Sequence, residues 1–395
     1  MKNKPNMSQT HEKPWFDPPP ALKDGSTIAI IGGGIGGLMM ASHLSTFFDV
    51  TLIDKDRKMM GAASGNPIAI LDPYITLGDS LEKEFYLSAF KYAVNYYEKL
   101  PKDIFNKCGL WKIPKNKDEQ LKYSKICAKY PSSFMKEHKD GLFFPDAGYI
   151  NPLALCTAFS DRFDTLFNTN IAQIHKVKNQ KWRIFDDQGN ETCEADAVIL
   201  CNSYRSNRFE QSTHIELEKI SGQISYVSTE KKINNVLCSV GYLTPPVATE
   251  HGAASICGAT FEREILDEIT EEAHLENIKN APTPNESPKV LGGRREIRAM
   301  TNDHLPVCGS LPDITHYKKQ YEGLHHGPTH KLFPKAPYHN GLYICTGLGA
   351  RGFLTAPLLG AYMTGLIRDV KMHISVQILH ALHPARFLIR KISKK

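Results

Sequence analysis

The sequence contains no run of eighteen or more consecutive apolar residues, the length that a membrane-spanning helix requires. Its first thirteen residues are polar and lack the apolar core of a secretory signal, so a cytoplasmic protein with no membrane partner is expected. Nine cysteines are present, among them Cys108, Cys127, Cys156, Cys193 and Cys201, yet none forms a CxxC pair or a Cys/His spacing suited to zinc. Reduced, mostly buried thiols and no metal site are expected. No internal repeat or low-complexity tract is found, and no Ser/His/Asp or Cys/His arrangement points to a hydrolase. With 395 residues, 41% hydrophobic and 23% charged, the composition is that of a globular protein of two domains or one elaborate one. A net charge of +6 permits an anionic partner without requiring one.

What the chain does have is two glycine-rich loops at opposite ends. The first, Gly32-Gly33-Gly34-Ile35-Gly36-Gly37, follows the apolar run Thr27-Ile28-Ala29-Ile30-Ile31 and precedes residues of helical spacing, Leu38 to Leu44. The order strand, turn, helix is what a dinucleotide site requires. Gly32 permits the tight turn, Gly34 lets the backbone approach a pyrophosphate, and Gly37 allows close helix–strand packing. The helix N-terminus offers N–H groups to phosphates. A second strand, Val50-Thr51-Leu52-Ile53, ends at Asp54, an acid placed to accept hydrogen bonds from ribose hydroxyls. The second loop, Gly347-Leu348-Gly349-Ala350-Arg351-Gly352, again stands between a strand-like run, 341–346, and a helical one, 356–367. A chain that leaves a nucleotide fold and returns to it is implied.

Between the loops, 80–100 has apolar residues at helical spacing and 117–130 is a Lys-rich helical stretch. Residues 170–174 and 182–185 read as strands around a polar turn. Ala195-Asp196-Ala197-Val198-Ile199-Leu200-Cys201-Asn202 reads as a buried parallel strand rejoining the first sheet. From 221 to about 309, β-branched runs alternate with turns, as in an antiparallel domain. The fold class expected is α/β: a Rossmann-type FAD-binding domain with an inserted α+β substrate domain on a mainly antiparallel sheet. The boundaries expected are an extended leader, 1–24, broken by Pro14, Pro18, Pro19 and Pro20; an FAD-binding domain of 25–85, 140–215 and 320–395; and a substrate domain of 86–139 and 216–319. The basic tail, 386–395, reads equally as a helix with one apolar face or as a nucleic-acid contact.

Several further landmarks occur in order: Gly61-Ala62-Ala63-Ser64-Gly65-Asn66, Phe143-Phe144-Pro145 with Asn151-Pro152, Gly222-Gln223, and Arg298-Ala299-Met300-Thr301-Asn302-Asp303-His304-Leu305-Pro306. Together with the glycine loops they resemble the flavin amine oxidases of the glycine oxidase and D-amino acid oxidase group. Within it the chain is most similar to the FAD-dependent oxidoreductase module of the bifunctional tRNA 5-methylaminomethyl-2-thiouridine biosynthesis enzymes. The methyltransferase half fused to that module in many relatives is absent from this sequence.

The resemblance implies FAD as cofactor, with Gly32, Gly34, Gly37, Asp54, Ser64, Gly65, Asn66, Gly347, Gly349 and Gly352 around it. It implies that Arg298 pairs with a substrate carboxylate, the geometry that a guanidinium fork suits best. Arg294 and Arg295 compete for that role, and an ion pair at the surface or between domains is the plain alternative. Arg351 is placed beside the flavin ring and substrate, where it either favours negative charge on the reduced flavin or links loop to sheet. The implied substrate is a tRNA carrying carboxymethylaminomethyluridine, oxidised to release glyoxylate and leave aminomethyluridine, with a separate methyltransferase as a candidate next enzyme. Oxidation of free glycine, sarcosine or a D-amino acid uses the same hydride chemistry and is the first rival. A non-catalytic flavoprotein is the second.

Overall fold

The computed structural model describes residues 13–138, 141–230, 232–282, 288–326 and 333–394. The leader expected over 1–24 falls partly outside them. Its described part forms a short 3-10 turn, Pro14–Phe16, whose Trp15 and Phe16 pack against the cluster of Tyr317, Tyr321 and Leu388.

In chain order, the elements that matter are strand β1 (Thr27–Ile31), helix α1 (Ile35–Leu44), β2 (Asp49–Ile53), α2 (Leu81–Tyr97), α3 (Lys117–Cys127), β3 (Asp164–Leu166) and β4 (Ala197–Leu200). They continue with β5 (Glu218–Ser228), β6 (Gly252–Gly258), α4 (Glu271–Asn280), β7 (Lys289–Met300), β8 (Val307–Pro312), β9 (Tyr338–Thr346), α5 (Gly352–Arg368) and α6 (Arg386–Ile392). The first sheet has the order β8-β9-β4-β1-β2-β3. Its inner strands are parallel, with Ile30 opposite Leu52 on one side and Ile199 on the other, and Ile199 opposite Tyr343. Both faces of such a sheet are covered, which is why β1 and β4 are apolar without alternation. α1 and α5 cover one face, and a separate three-stranded sheet over Ile171–Lys176, Trp182–Asp186 and Glu191–Ala195 lies against the other.

The second sheet has nine strands and is mainly antiparallel. β7, β5 and β6 lie at one end, and Leu110–Lys112, Gly141–Phe144 and Lys136–His138 at the other. The division expected from the sequence differs here in two places. β8, assigned to the substrate portion, pairs with β9 in the nucleotide sheet, with Cys308 opposite Cys345. The strand Gly141–Phe144, assigned to the FAD portion, belongs to the nine-stranded sheet. Each is a short apolar strand whose sheet is chosen by a distant partner, which local pattern does not encode.

Helix ends follow local chemistry. Ser80 Oγ accepts the N–H of Lys83 at 3.1 Å and starts α2, while Asn116 Oδ1 accepts that of Glu119 at 2.9 Å and starts α3. Pro357 lies inside α5 and has no N–H to give the carbonyl of Phe353. Tyr97 of α2 supplies the missing donor, its hydroxyl reaching Phe353 O at 2.8 Å.

The basic tail is divided by the structure. Arg386 is buried and donates twice to Asp303 at 3.0 Å and to the carbonyls of Leu305 and Pro306, while Arg390 reaches the same carboxylate at 2.6 Å. α6 thereby clamps the turn after β7. Burial opposes charge on Asp303, but the two guanidiniums outweigh it and hold its pKa at about 2. A depressed carboxylate pKa adds stability above the unfolded value and loses it as pH falls through the folded one. Asp303→Asn is expected to cost about 3–5 kcal/mol by leaving Arg386 buried without its counter-charge. It is also expected to flatten the acid limb of thermal stability between about pH 4 and pH 2, measured by circular dichroism melts.

Candidate functional site

A cleft of about 490 Å³ runs from the first glycine turn, past the second, to the face of β5 and β7. At its first end Gly32 has φ of 113°, and a Cβ there would stand 2.6 Å from the carbonyl of Cys201. A Cβ on Gly37 would stand 1.8 Å from Gly32 O, so the first turn of α1 rests directly on the turn that precedes it. Gly34 caps α1 without a side-chain bond, and Ile35 N–H donates to Ser64 Oγ at 3.0 Å. The Asp54 carboxylate accepts the N–H of Gly33 and, at 2.7 Å, that of Asp56. Burial pushes its pKa up, against the pull of these donors. The acid expected to reach a ribose thus also ties the glycine turn to the end of β2.

The second loop closes over the first. Gly347 and Gly349 have φ of 71° and 56°, and a Cβ on Gly352 would stand 2.9 Å from Ile35 Cγ2. The N-termini of α1 and α5 therefore converge on one region, where two macrodipoles favour negative charge. Gly32, Gly34, Asp54, Ser64, Asn66, Gly347, Gly349 and Gly352 line the cleft. Gly37 does not, since its place is in the packing beneath, and Gly65 lines a neighbouring cavity that shares Asn66 and Ile68 with the cleft.

The three arginines of β7 are separated by the pleat. Arg295 points away from the cleft into a buried cluster, paired with Glu262 and bonded to Gln223 Oε1 at 3.1 Å. Arg294 binds the carbonyls of Gly61 and Ala62 at 2.9 and 2.8 Å and Glu296 at 2.9 Å, holding the loop that carries Ser64. Arg298 lines the cleft. Among the described residues its hydrogen bond is to Thr260 O at 2.7 Å, and no carboxylate pairs with it. Burial lowers its pKa, partly countered by Tyr242 and Glu262. Its guanidinium occupies the space above Gly222, where a Cβ would meet Nη2 at 1.7 Å. Arg351 lies over the rings of Tyr74 and Tyr86, 5.1 and 5.3 Å from their centroids. The Tyr86 hydroxyl reaches His304 O at 2.6 Å, and burial pushes its pKa up to about 12.

A family model described as FAD dependent oxidoreductase matches residues 27–366. The chain belongs to the FAD-dependent oxidoreductase family. A relative from Legionella pneumophila (strain Corby), named tRNA 5-methylaminomethyl-2-thiouridine biosynthesis bifunctional protein, is 30% identical over 98% of this chain and 61% of its own length. One of the same name from Magnetococcus marinus is 28% identical over 100% of this chain and 63% of its own. The chain thus spans about three fifths of these relatives. Glycine oxidase from Geobacillus kaustophilus superposes with a TM-score of 0.68 at 16% identity, covering 92% of this chain and 99% of its own. Fructosyl amine:oxygen oxidoreductase from Aspergillus fumigatus gives 0.69 at 14% identity, covering 95% and 93%. At such identities these structures show the shared fold: a Rossmann-type FAD-binding part beside a substrate part.

FAD is the cofactor of this oxidoreductase, and the cleft fits it. A turn that any Cβ would fill, the starts of two helices beside it and a carboxylate at the end of β2 make up the setting of a dinucleotide site. Among the described residues no group of three or more His, Cys, Asp or Glu is arranged to hold a metal, and no helix is long and apolar enough to cross a membrane. Sequence reasoning missed the part played by Gly222, the Tyr74–Tyr86 seat of Arg351, and Thr260. The Gly222-Gln223 pair was visible as a landmark, but the space above it was not.

Gly37→Ala forces α1 off the glycine turn, and the purified variant is expected to retain little or no FAD by absorbance. Gly222→Ala is expected to keep FAD but displace Arg298, raising KM for substrate at least tenfold. Normal FAD content in the first variant, or an unchanged KM in the second, contradicts these assignments.

Proposed function

We propose that this chain catalyses FAD-dependent oxidation of the carboxymethylaminomethyl group on a tRNA wobble uridine. The substrate amine nitrogen and its glycine carbon lose a proton and a hydride, leaving a carbon–nitrogen double bond; water then adds, glyoxylate departs and aminomethyluridine remains. FAD, when bound, supplies the hydride acceptor. The chain's own residues supply position and charge. The observation that carries the reading is Arg298: a largely buried guanidinium has no carboxylate partner among the described residues, a costly state that an anionic ligand relieves. The substrate's carboxymethyl end is such a ligand, and the fork of the guanidinium binds it in two parallel hydrogen bonds.

In this reading Gly32, Gly34 and the first turn of α1 hold the pyrophosphate, and Asp54 takes the ribose. Ser64, Asn66, Gly347, Gly349 and Gly352 border the flavin, while Gly37 and Gly65 set the backbone around them. Arg351, seated on two tyrosine faces, presents positive charge where negative charge gathers on reduction. The relatives' names support tRNA as the carrier of the amine. A separate methyltransferase acting on the product completes the modification that those names describe.

The resemblance of fold to glycine oxidase favours a second reading, oxidation of free glycine, sarcosine or a D-amino acid. Anaerobic bleaching of the flavin separates the two. Bleaching by carboxymethylaminomethyl-tRNA with release of glyoxylate is expected; bleaching by the free amino acids alone establishes the second reading, and silence with every substrate refutes both. Arg298→Ala is expected to keep its FAD and lose about 3 kcal/mol of transition-state binding, on the order of a hundredfold in kcat/KM. Unaltered kinetics in that variant remove Arg298 from the mechanism.

A further inference from the structure

The sequence offers two basic segments as contacts for RNA, the C-terminal tail and the Lys-rich stretch around α3. Three of the tail's cations are engaged by the protein itself. Arg386 and Arg390 pair with Asp303, and Lys391 pairs with Glu216 at 2.7 Å. α3 is different. Its buried residue is Ile126, while Lys117, Leu121, Lys122 and Lys125, and Lys129 just past its end, are exposed. Lys122 and Lys125 lie one turn apart on α3, and Lys129 follows in the turn just past its end. Among the described residues Lys115, Lys117, Lys122 and Lys125 are in no ion pair.

This stripe stands beside the cleft. Lys112, on the strand before α3, pairs at 2.6 Å with Asp72, a cleft residue. Tyr123 of α3 is close enough to Asp72, in the cleft wall, for that carboxylate to reinforce burial in pushing its pKa up. Lys129 Nζ donates to Leu77 O at 2.9 Å, on the loop that carries Tyr74 beneath Arg351. The helix is therefore braced against the wall and the rim of the catalytic cavity.

Charge along the nine-stranded sheet is polarised. α3 packs on the end formed by Lys136–His138 and Gly141–Phe144. At the other end, α4 and the loop before it expose Glu264, Asp267, Glu268, Glu271, Glu272 and Glu276. An RNA approaching the cleft is attracted on one side and repelled on the other.

We propose that the exposed lysines at the C-terminal end of α3, Lys122 and Lys125 with Lys129 just beyond it, are the docking surface for the phosphate backbone of an RNA stem beside the reacting nucleotide, and that RNA enters the cleft from this end of the sheet. The inference rests on the reading of the substrate as tRNA. It is tested by fluorescence anisotropy with a labelled, unmodified anticodon stem–loop RNA and the FAD-loaded protein over a range of salt. Lys122→Glu/Lys125→Glu is expected to weaken binding about tenfold or more at about 150 mM salt and to flatten the slope of log Kd on log salt by roughly 1.5 to 2. FAD content and Tm are expected to stay at their original values, because both side chains are exposed. Glu271→Lys/Glu272→Lys, at the opposite end, is expected to leave affinity within about twofold. RNA binding that ignores the α3 reversal, or that falls equally on reversal of α4, overturns this inference alone. No RNA binding by the unaltered protein overturns it together with the tRNA reading, whereas binding without flavin bleaching by modified tRNA removes only the oxidation.

Discussion

The parallel pairing of Ala197–Leu200 with Tyr338–Thr346 holds the cleft together, because it returns the end of the chain to the sheet begun by Thr27–Ile31. Through it, two glycine turns from opposite ends of the sequence face each other, and the starts of α1 and α5 meet at Ile35 and Gly352. Neither turn alone encloses anything. Closure is a non-local contact whose entropic cost is met by the apolar strands on either side, and loss of the Gly32–Gly37 packing disturbs the cofactor end without touching β5 or β7.

The nucleotide half was legible in the sequence because its signals are local. Strand, turn, helix and acid follow one another from Thr27 to Asp54, and each element forms where its residues demand. Much of the second sheet was legible only as a class. Val307–Pro312 and Gly141–Phe144 look alike as short apolar strands, and partners far along the chain decide which sheet each joins.

The arginines show a second limit. Arg294, Arg295 and Arg298 are equivalent by composition, and only the pleat of β7 and the pairing across to β5 assign one to a loop, one to a buried acid and one to the cleft. The tail shows a third. Arg386 and Arg390 suggested an outward, nucleic-acid face, yet Asp303 pairs with both and draws Arg386 into the core, and an ion pair across 83 residues has no local trace.

The arrangement of β7 also bears on how the chain finds its register. β5 and β7 pair from Glu218–Met300 to Ser228–Lys289, and side chains alternate between the cleft and the α4 side. A slip of one residue would turn Arg295 out of its Glu262 pocket into the cleft and drive Arg294 and Arg298 into the space beneath α4. Arg295 would then lose Glu262, Arg294 the carbonyls of Gly61 and Ala62, and Arg298 its place in the cleft. A misaligned pairing of these two strands is thus disfavoured by the loss of all three sets of contacts at once.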